Sequence, residues 1–513
     1  MRNIQASLAL LAGAAVLAAG AHAADSTRMI VAFKPGAPAQ LKATLMASGA
    51  VRHEIFGTNA VAVELPAAAV RRLRRDPGVE YVEVDVIRRT MSAATPSTGT
   101  PYALGQLVPY GIKLVQADQL ADANPSNRMV CIIDSGVDRT HEDLAGNSAN
   151  MSGDNDVGTG DWFTDENHHG THVAGTIAAV NNSGVGVVGV NPNRQLKLHF
   201  IKVFNADGWA YSSTLASAAN KCGAAGANVI SMSLGGPLPN LTEMRAFAAL
   251  AKSGVLNVAA AGNSGNSSIS FPAGYPSVMM VAALDENQAW ASFSQYNRLV
   301  DIAAPGVSVL SSVPTGAGSS AALAVGGAAY APGAFQGSPF TSASAPLADF
   351  GLGDKVDQAF KGKLCLIARG TIDFATKVGN CQASGGLGAV IYNNVPGSFN
   401  GTLGTAATTI PSASASDTEG AALLKQLGQP ATLTVSVSNY AYFDGTSMAT
   451  PHVAAVAALV WSYFPDCSGP QIRASLNKSA LDLGPAGRDN KFGNGLIQAK
   501  AAKERIAARG CGN

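Results

Sequence analysis

Long apolar runs separated by glycine-rich turns dominate the middle and the end of the chain. Residues 129–133 form an uninterrupted apolar run that ends at Asp134, which predicts a buried parallel strand. Residues 453–463 are nearly all apolar and predict a core helix, with Pro451 in its first turn, where a missing N–H has no cost. Together these features predict an α/β protein with a doubly wound, mostly parallel sheet, which keeps its functional residues at the carboxyl ends of its strands.

Residues 25–91 carry a second pattern, in which short strands alternate with short helices. The predicted strands are residues 29–33, 51–56, 60–65 and 79–84, and the predicted helices are residues 39–47 and 67–74. This order of strand, helix, two strands, helix and strand is that of a ferredoxin-like domain. A chain of 513 residues exceeds what one core usually sustains, so at least two domains are expected.

The N-terminus predicts a secretory signal in residues 1–23. Met1-Arg2 is followed by an apolar run over residues 8–19 and by Ala21-His22-Ala23, which is an A-x-A cleavage pattern. The run is too short to span a bilayer comfortably, and no other stretch predicts a transmembrane helix. We therefore expect a secreted protein that has no membrane partner.

The cysteine content agrees with export, and the charge balance gives no sign of a polyanion partner. The chain has 35 Lys and Arg against 34 Asp and Glu, and the run Arg71-Arg72-Leu73-Arg74-Arg75 favours a solvated helix face over a nucleic-acid site. Six cysteines in an exported chain favour disulfides, for which fifteen connectivities are formally possible. The pairs that we favour are Cys365 with Cys381, Cys467 with Cys511, and Cys131 with Cys222.

One serine stands at a tight turn just before the predicted apolar helix. Ser447 lies in Gly445-Thr446-Ser447-Met448-Ala449-Thr450-Pro451-His452, beside the positive end of the helix macrodipole. A serine at a helix start is often only a cap, so a nucleophile also needs a base and a carboxylate. The candidates are His169, in His169-Gly170-Thr171-His172, and Asp134, in Asp134-Ser135-Gly136.

These three motifs, in the order Asp, His, Ser, resemble the signatures of the subtilisin-like serine proteases. The resemblance implies that Ser447 is the nucleophile, that His169 is the general base and that Asp134 orients the base. It leaves His172 as a structural residue, and it makes Asn263, together with the Ser447 N–H, the donors to the oxyanion. The implied activity is peptide-bond hydrolysis by an acyl-enzyme route, without a catalytic cofactor.

The same resemblance implies where a substrate peptide binds. Gly208-Trp209-Ala210 and Ser233-Leu234-Gly235-Gly236 are implied to form two edges that hold an extended peptide as an added strand. Ala260, Gly262 and Ser270 are implied to line the pocket for the residue before the scissile bond. These segments carry no charged residue, which favours an apolar side chain in that pocket.

Residues 25–91 resemble the inhibitory propeptide of the same family, with residues 76–85 matching its last hairpin. The resemblance implies that this segment is an intramolecular inhibitor of the chain that carries it. The spacing from Asp85 predicts autocleavage after Met91, so that Met91 fills the pocket before the scissile bond. The alternative is a stable, permanent N-terminal domain.

An insertion is predicted late in the catalytic region. That region opens with Val108-Pro109-Tyr110-Gly111, and more than a hundred residues separate Asp301-Ile302-Ala303-Ala304-Pro305-Gly306 from Asp444, where the family needs a short connection. The intervening sequence resembles a protease-associated (PA) domain, a small α/β unit that is either a passive lid or a device that restricts or recruits protein substrates. The resulting domains are a signal in 1–23, a propeptide in 25–91, a catalytic domain in 92–313 and 441–513, and a PA domain in 314–440.

A structural calcium site is also implied by the resemblance. Gln106, Asp143 and Asn182 correspond to side-chain ligands of the family's strong calcium site, and carbonyl groups of residues 181–187 would complete an oxygen shell. The alternative is that Asn182 is only a turn residue.

Other interpretations of the motifs are weaker. His168, His169 and His172 could form a zinc cluster, but no carboxylate follows at the spacing of HExxH. A catalytically silent binding protein would require a broken motif, and none is visible. An esterase would use the same groups, although the peptide-binding edges at Gly208 and Ser233 favour a protease. We expect a monomer whose partners are protein substrates and its own propeptide.

Overall fold

The computed structural model describes residues 26–513, apart from residues 38, 48–49, 92, 95–99, 102–105, 183, 185, 396, 398, 400 and 405. The predicted signal segment, residues 1–23, lies outside the described residues. None of the helices in the described ranges is long and apolar enough to cross a membrane.

The first unit is a four-stranded antiparallel sheet with two helices. Its elements follow the predicted order: β1 (Ser26–Phe33), α1 (Ala39–Ala47), β2 (Val51–Glu54), β3 (Ala60–Pro66), α2 (Ala67–Leu73) and β4 (Val79–Val84). The strands lie in the order β2-β3-β1-β4, because the most apolar strands, β1 and β3, occupy the buried centre. Val31, Val61 and Val63 of these strands pack with Leu73 of α2 in a separate small core.

Four short strands lead from this unit into the main domain. They are β5 (Ile87–Thr90), β6 (Ala93–Ala94), β7 (Thr100–Pro101) and β8 (Leu107–Val108). β7 and β8 pair with each other, whereas β5 and β6 pair with strands of the main domain.

The main domain is built on seven parallel strands. Its first elements are α3 (Tyr110–Leu114), β9 (Met129–Asp134), α4 (Glu142–Ala145), β10 (Met151–Asn155), α5 (His169–Ala178), β11 (Lys197–Lys202), β12 (Trp209–Tyr211), α6 (Ser212–Ala224), β13 (Val229–Met232), β14 (Leu234–Gly235), α7 (Leu241–Lys252), β15 (Leu256–Ala260), β16 (Val278–Leu284), β17 (Val300–Pro305) and β18 (Val309–Ser312). The sheet order is β10-β11-β9-β13-β15-β16-β17, which confirms the predicted parallel sheet. The carboxyl ends of the strands therefore meet along one edge, which includes Asp134.

A second, mixed sheet occupies the predicted insertion. Its elements are β19 (Gly318–Val325), β20 (Ala328–Tyr330), β21 (Gly333–Ala334), β22 (Ser342–Asp349), β23 (Leu364–Ala368), α8 (Phe374–Ala383), β24 (Gly388–Tyr392), β25 (Ser412–Ala415), α9 (Asp417–Leu423) and β26 (Pro430–Ser438). The chain returns to the main domain through β27 (Tyr440–Asp444), and then forms α10 (Thr446–Tyr463), α11 (Gly469–Ser479) and α12 (Ala499–Arg509). β27 pairs antiparallel with β18, where Tyr440 lies opposite Ser312, so the two ends of the insertion are neighbours.

Helix α10 corrects one detail of the sequence analysis. The prediction that the helix begins at residue 453, with Pro451 in its first turn, was wrong, because the helix begins at Thr446 and Pro451 lies inside it. Proline cannot donate to the carbonyl group four residues earlier, which belongs to Ser447. Ser233 Oγ donates to that carbonyl oxygen instead, at 2.7 Å, and so replaces the missing helical hydrogen bond.

All three favoured cysteine pairs are disulfides in the structure. Cys131 pairs with Cys222, Cys365 with Cys381, and Cys467 with Cys511. The first ties the strand that ends in Asp134 to α6, the second lies in the inserted unit, and the third fastens the C-terminal segment.

The disulfides should stabilise the fold in the order of the loops that they close. Replacing Cys365 and Cys381 by Ala together, across a sequence separation of 16, should lower the free energy of unfolding by about 3 kcal/mol. The same change at Cys467 and Cys511, across a separation of 44, should lower it by about 4 kcal/mol, because the unfolded chain gains more freedom. Guanidinium unfolding of both variants measures the difference, and a larger loss for the shorter loop would contradict this ranking.

Candidate active site

Ser447 lies in the first turn of α10, directly after the turn at Gly445. It is wholly buried in this form of the chain, and its Oγ donates a hydrogen bond to the carbonyl oxygen of Met91. At the start of a helix, backbone N–H groups point away from the helix and carry partial positive charge. This end of α10 can therefore stabilise a negative charge that develops beside Ser447.

His169 and Asp134 meet at the carboxyl edge of the main sheet. His169 is the first residue of α5, Asp134 is the last of β9, and His169 Nδ1 donates to Asp134 Oδ1 at 2.7 Å. Both side chains are 1% exposed. With its proton on Nδ1, the ring keeps Nε2 as an acceptor, and this buried atom has no hydrogen-bond partner within the described part of the chain.

Two residues that the sequence analysis did not single out hold this pair in place. The buried carboxylate of Asp165 accepts from the N–H groups of His168, at 2.9 Å, and Thr171, at 2.8 Å, at the start of α5. Ser135 Oγ donates to Asp165 at 2.7 Å and accepts from Gly170 N–H at 2.9 Å. Burial raises the pKa of Asp165. Its position four residues before His169, at a helix start, was the signal available in the sequence.

Asn263 is aimed at the same carbonyl group as Ser447. Its Nδ2 donates to the carbonyl oxygen of Met91 at 2.8 Å. Its Oδ1 accepts from Thr446 N–H at 2.9 Å and from Thr446 Oγ1 at 2.8 Å, which fixes which way the amide points. Thr446 was also missed from the sequence, although it stands directly before Ser447. Gly262 N–H donates in turn to Thr446 Oγ1 at 3.1 Å.

The chain's own residues before Met91 cross the cleft as a strand. β5 lies between β12 and β14, with Arg88 opposite Ala210 and Thr90 opposite Leu234. Thr90 N–H donates to the carbonyl oxygen of Gly208 at 3.1 Å. The two edges predicted for a substrate peptide are thus paired with residues 87–90. Beyond Met91, β6 pairs with β27, which leads into α10.

The remaining predicted cleft residues take three different positions. Gly235 and Ser270 lie beside the Met91 side chain. A Cβ added at Gly235 would lie 2.5 Å from Met91 Cε and 2.4 Å from Ser270 Oγ. Ala260 ends β15 and is fully buried. Ser233 contacts the Ser447 carbonyl group rather than the strand in the cleft.

Two other histidines close to the site are structural in their contacts. His172 Nε2 lies 2.9 Å from Val309 O and 3.1 Å from Ala441 O, and its ring stacks on Phe443. Burial lowers the pKa of His172 to about 3, so it is neutral near pH 7. Burial likewise lowers the pKa of His452 to about 4.

The residues predicted to bind calcium lie together. The side-chain nitrogen of Gln106, Nε2, faces three oxygen atoms. They are Val180 O at 3.1 Å, Val187 O at 3.2 Å and Asn182 Oδ1 at 2.8 Å. Asp143 Oδ1 accepts from Asn182 Nδ2 at 2.9 Å, and burial raises the pKa of Asp143 to about 6. A buried carboxylate among neutral oxygens suits a hard cation such as Ca²⁺.

The chain is similar to known proteins over most of its length. Residues 126–349 and 380–495 match the model of the Subtilase family, and residues 320–423 match that of the PA domain. M-protease of Shouchella clausii is 31% identical over 453 residues, which are 88% of this chain and 80% of that protein. The alkaline protease of Alkalihalobacillus alcalophilus is 41% identical over 265 residues, and the chain spans only 64% of its length.

Solved structures show the same likeness. The psychrophilic subtilisin-like protease Apa1 from the Antarctic Pseudoalteromonas sp. AS-11 is 42% identical, with a TM-score of 0.68 over 80% of this chain and 100% of that chain. The fold also matches fervidolysin from Fervidobacterium pennivorans, which is 23% identical, with a TM-score of 0.61. From these matches and the geometry at Ser447, the chain belongs to the subtilase family and carries a PA domain.

Proposed function

We propose that this chain is the precursor of a secreted serine endopeptidase that cleaves proteins through an acyl-enzyme and that first cleaves itself after Met91. One observation carries the proposal. The Met91 carbonyl group lies between Ser447 Oγ and Asn263 Nδ2, at the N-terminus of α10, with the chain on both sides of it paired to strands of the cleft. The carbonyl group is thus next to both a nucleophile and an oxyanion donor, the two groups that cleavage of its peptide bond needs.

The chemistry follows from the contacts of each group. The Ser447 hydroxyl turns from the Met91 oxygen to His169 Nε2, which takes its proton as Oγ bonds to the carbonyl carbon. Asp134 accepts the Nδ1–H and stabilises the imidazolium. Asn263 Nδ2 and the Ser447 N–H stabilise the oxyanion. The bond to residue 92 then breaks, the leaving amine takes the proton from His169, and water hydrolyses the acyl-enzyme.

Contacts between the first unit and the main domain support a propeptide role for residues 25–91. Asp85 accepts from Ser213 N–H at 2.9 Å at the start of α6. Glu83 accepts from Leu241 N–H at 2.7 Å and from Thr242 N–H at 2.9 Å at the start of α7. Each carboxylate thus caps a helix of the main domain. With β5 filling the cleft, the unit blocks substrate access until it is released.

The inserted PA domain borders the cleft beyond the scissile bond. A cavity of about 520 Å³ lies between it and the main domain, and it is lined by residues that include Pro332 and Gln336 of the insertion and Tyr442 and Phe443 of β27. Because β27 pairs with the chain after the scissile bond, this position supports a role of the PA domain in restricting or recruiting substrates.

Export is supported by the N-terminal sequence pattern and by the three disulfides, which persist outside the cytosol. We also propose a structural calcium ion. It would be held by side-chain oxygens of Gln106, Asp143 and Asn182 with the carbonyl groups of Val180 and Val187. The ion would join three segments, namely Gln106 before β8, Asp143 of α4, and the loop that carries Val180, Asn182 and Val187, and has no role in bond cleavage.

The first prediction of the proposed function concerns self-processing and hydrolysis. The wild type should hydrolyse casein and accumulate as a product that starts at residue 92, whereas Ser447→Ala should remain full-length after signal removal and inactive. The reason is that the Ser447 hydroxyl is the nucleophile candidate that contacts Met91 O in the described part of the chain. Casein assays with N-terminal sequencing measure both results. Equal processing of the two proteins would show that the assignment of Ser447 is wrong.

The second prediction concerns the oxyanion. Asn263→Ala should lower kcat of the mature enzyme by about 10²–10³, with little change in KM, a magnitude known for this donor in subtilisin rather than derived from the present geometry. The matched control is Asn266→Ala in the same loop, where the side chain accepts only from Ser268 N–H among the described contacts. A similar loss of kcat in both variants would contradict a specific role of Asn263.

The third prediction concerns calcium. Removal of calcium by a chelator should lower the melting temperature of the Ser447→Ala precursor by roughly 3–5 °C, because a ligand at about 100 times its Kd stabilises by about 2.7 kcal/mol and the chain is large. Asp143→Asn should reduce this calcium-dependent shift, because it removes the charged ligand. Differential scanning calorimetry with and without added calcium measures the shift. Identical melting curves would exclude the calcium site.

A further inference from the structure

An arginine is buried in the cleft, four residues before the predicted scissile bond, counting Met91 as the first. Arg88 in β5 is 0% exposed and forms an ion pair with Glu243, which is also 0% exposed. Arg88 Nε lies 3.0 Å from Glu243 Oε1, and Nη2 lies 2.6 Å from Oε2. The neighbouring Arg89 is exposed. The cleft therefore buries the side chain of Arg88 and leaves that of Arg89 exposed to solvent.

Every nitrogen of the Arg88 guanidinium group donates to an acceptor in the pocket. Nη2 also donates to the carbonyl oxygen of Leu238 at 3.0 Å, and Nη1 donates to the carbonyl oxygen of Ile87 at 3.2 Å. A Cβ at Gly236 would lie 2.5 Å from Ile87 O and 3.1 Å from Arg88 Nη1, so glycine at this position lets the backbone and the guanidinium group of β5 approach closely. The planar fork of arginine matches a carboxylate in two parallel hydrogen bonds, which the single ammonium of lysine cannot reproduce.

Glu243 is held in position by the main domain itself. It lies in the first turn of α7, where its N–H donates to the N-cap residue Asn240 at 3.0 Å. Tyr275 OH donates to Glu243 Oε2 at 2.7 Å. Burial and the nearby Glu243 carboxylate raise the pKa of Tyr275, which keeps the phenol protonated as a donor. These contacts all come from the main domain and stay when residues 25–91 leave.

A buried carboxylate is stable when a cation or hydrogen-bond donors compensate its lost hydration. Tyr275 supplies one donor, and Arg88 supplies the charge. An apolar side chain in the same pocket would remove water from Glu243 without replacing the cation. The pocket therefore distinguishes between substrates by penalising the wrong side chain as well as by binding the right one.

We propose that Glu243 makes the mature enzyme selective for protein substrates with arginine at the fourth position before the scissile bond. This inference rests on the proposed function, since it applies to other substrates the register that residues 87–91 adopt in the cleft. The preferred sequence combines that arginine with an apolar residue such as methionine directly before the cleaved bond. The position of Arg89, in contrast, carries little selectivity.

Peptide substrates separate this role from a contact that serves only the precursor. The reference substrate is acetyl-Ile-Arg-Arg-Thr-Met-p-nitroanilide, which copies residues 87–91. Norleucine or citrulline in place of the first arginine should lower kcat/KM of the mature enzyme by about 10²-fold or more, as for loss of one partner of a buried charged pair. Norleucine in place of the second arginine is the matched control and should change kcat/KM less than about fivefold, because that side chain is exposed.

Substitution of Glu243 tests the residue directly. Glu243→Gln should reduce the preference for arginine over norleucine from about 10²-fold to within about tenfold, and Glu243→Leu should reverse it. If a single variant does not mature, the precursor with Arg88→Leu and Glu243→Leu together replaces the ion pair by an apolar contact and should process itself. A merely structural role of Glu243 would lower activity on both substrates without changing their ratio.

The outcomes distinguish this inference from the function on which it rests. Equal kcat/KM for arginine and norleucine in the wild type would overturn the selectivity and leave the protease intact. An unchanged ratio in the Glu243 variants would overturn the assignment to Glu243. If the wild type, like Ser447→Ala, cleaved neither the peptides nor casein, the proposed function would fail, and the selectivity with it.

Discussion

The burial of α10 is the constraint on which the active-site geometry depends. Every residue of this helix except Tyr463 is buried, and it packs on the strands of the main sheet and on α5. An apolar helix enclosed in this way cannot slide or rotate without opening cavities, which are costly in a close-packed interior. The first turn is therefore fixed relative to the carboxyl edge of the sheet. Ser447, Asp134 and His169 are held on elements that share one core.

The parallel sheet and the meeting of the three motifs could be predicted because both depend on local sequence. An apolar run that ends in Asp134 defines a strand and its edge, and the residues around His169 and Ser447 carry their signatures within ten residues. The disulfides were also predictable, since each pairing had a topological reason. The start of α10 was not, because the group that compensates Pro451 is Ser233, which lies 214 residues from Ser447 in the chain.

The same limit applies to the residues that support the site. Thr446, Ser135 and Asp165 act by orienting other groups, and their types at those positions are common in turns and helix starts. Glu243 is separated from Arg88 by 155 residues, and nothing near either residue indicates the other. The segments that line the cleft carry no charge, so the sequence alone indicated an uncharged surface. Folding brings the acidic group in from a neighbouring helix.

The strand pairing at the ends of the insertion has a consequence for how this architecture can vary. Ser312 and Tyr440 face each other across an antiparallel pair, and Val313 N–H donates to Asn439 O just beyond them. A tight turn at this point would close the hairpin and leave β18 and β27 unchanged. The PA domain is thus a removable module on a catalytic unit that keeps its own core. The insertion can therefore be replaced or removed at this point without disturbing the core of the main domain.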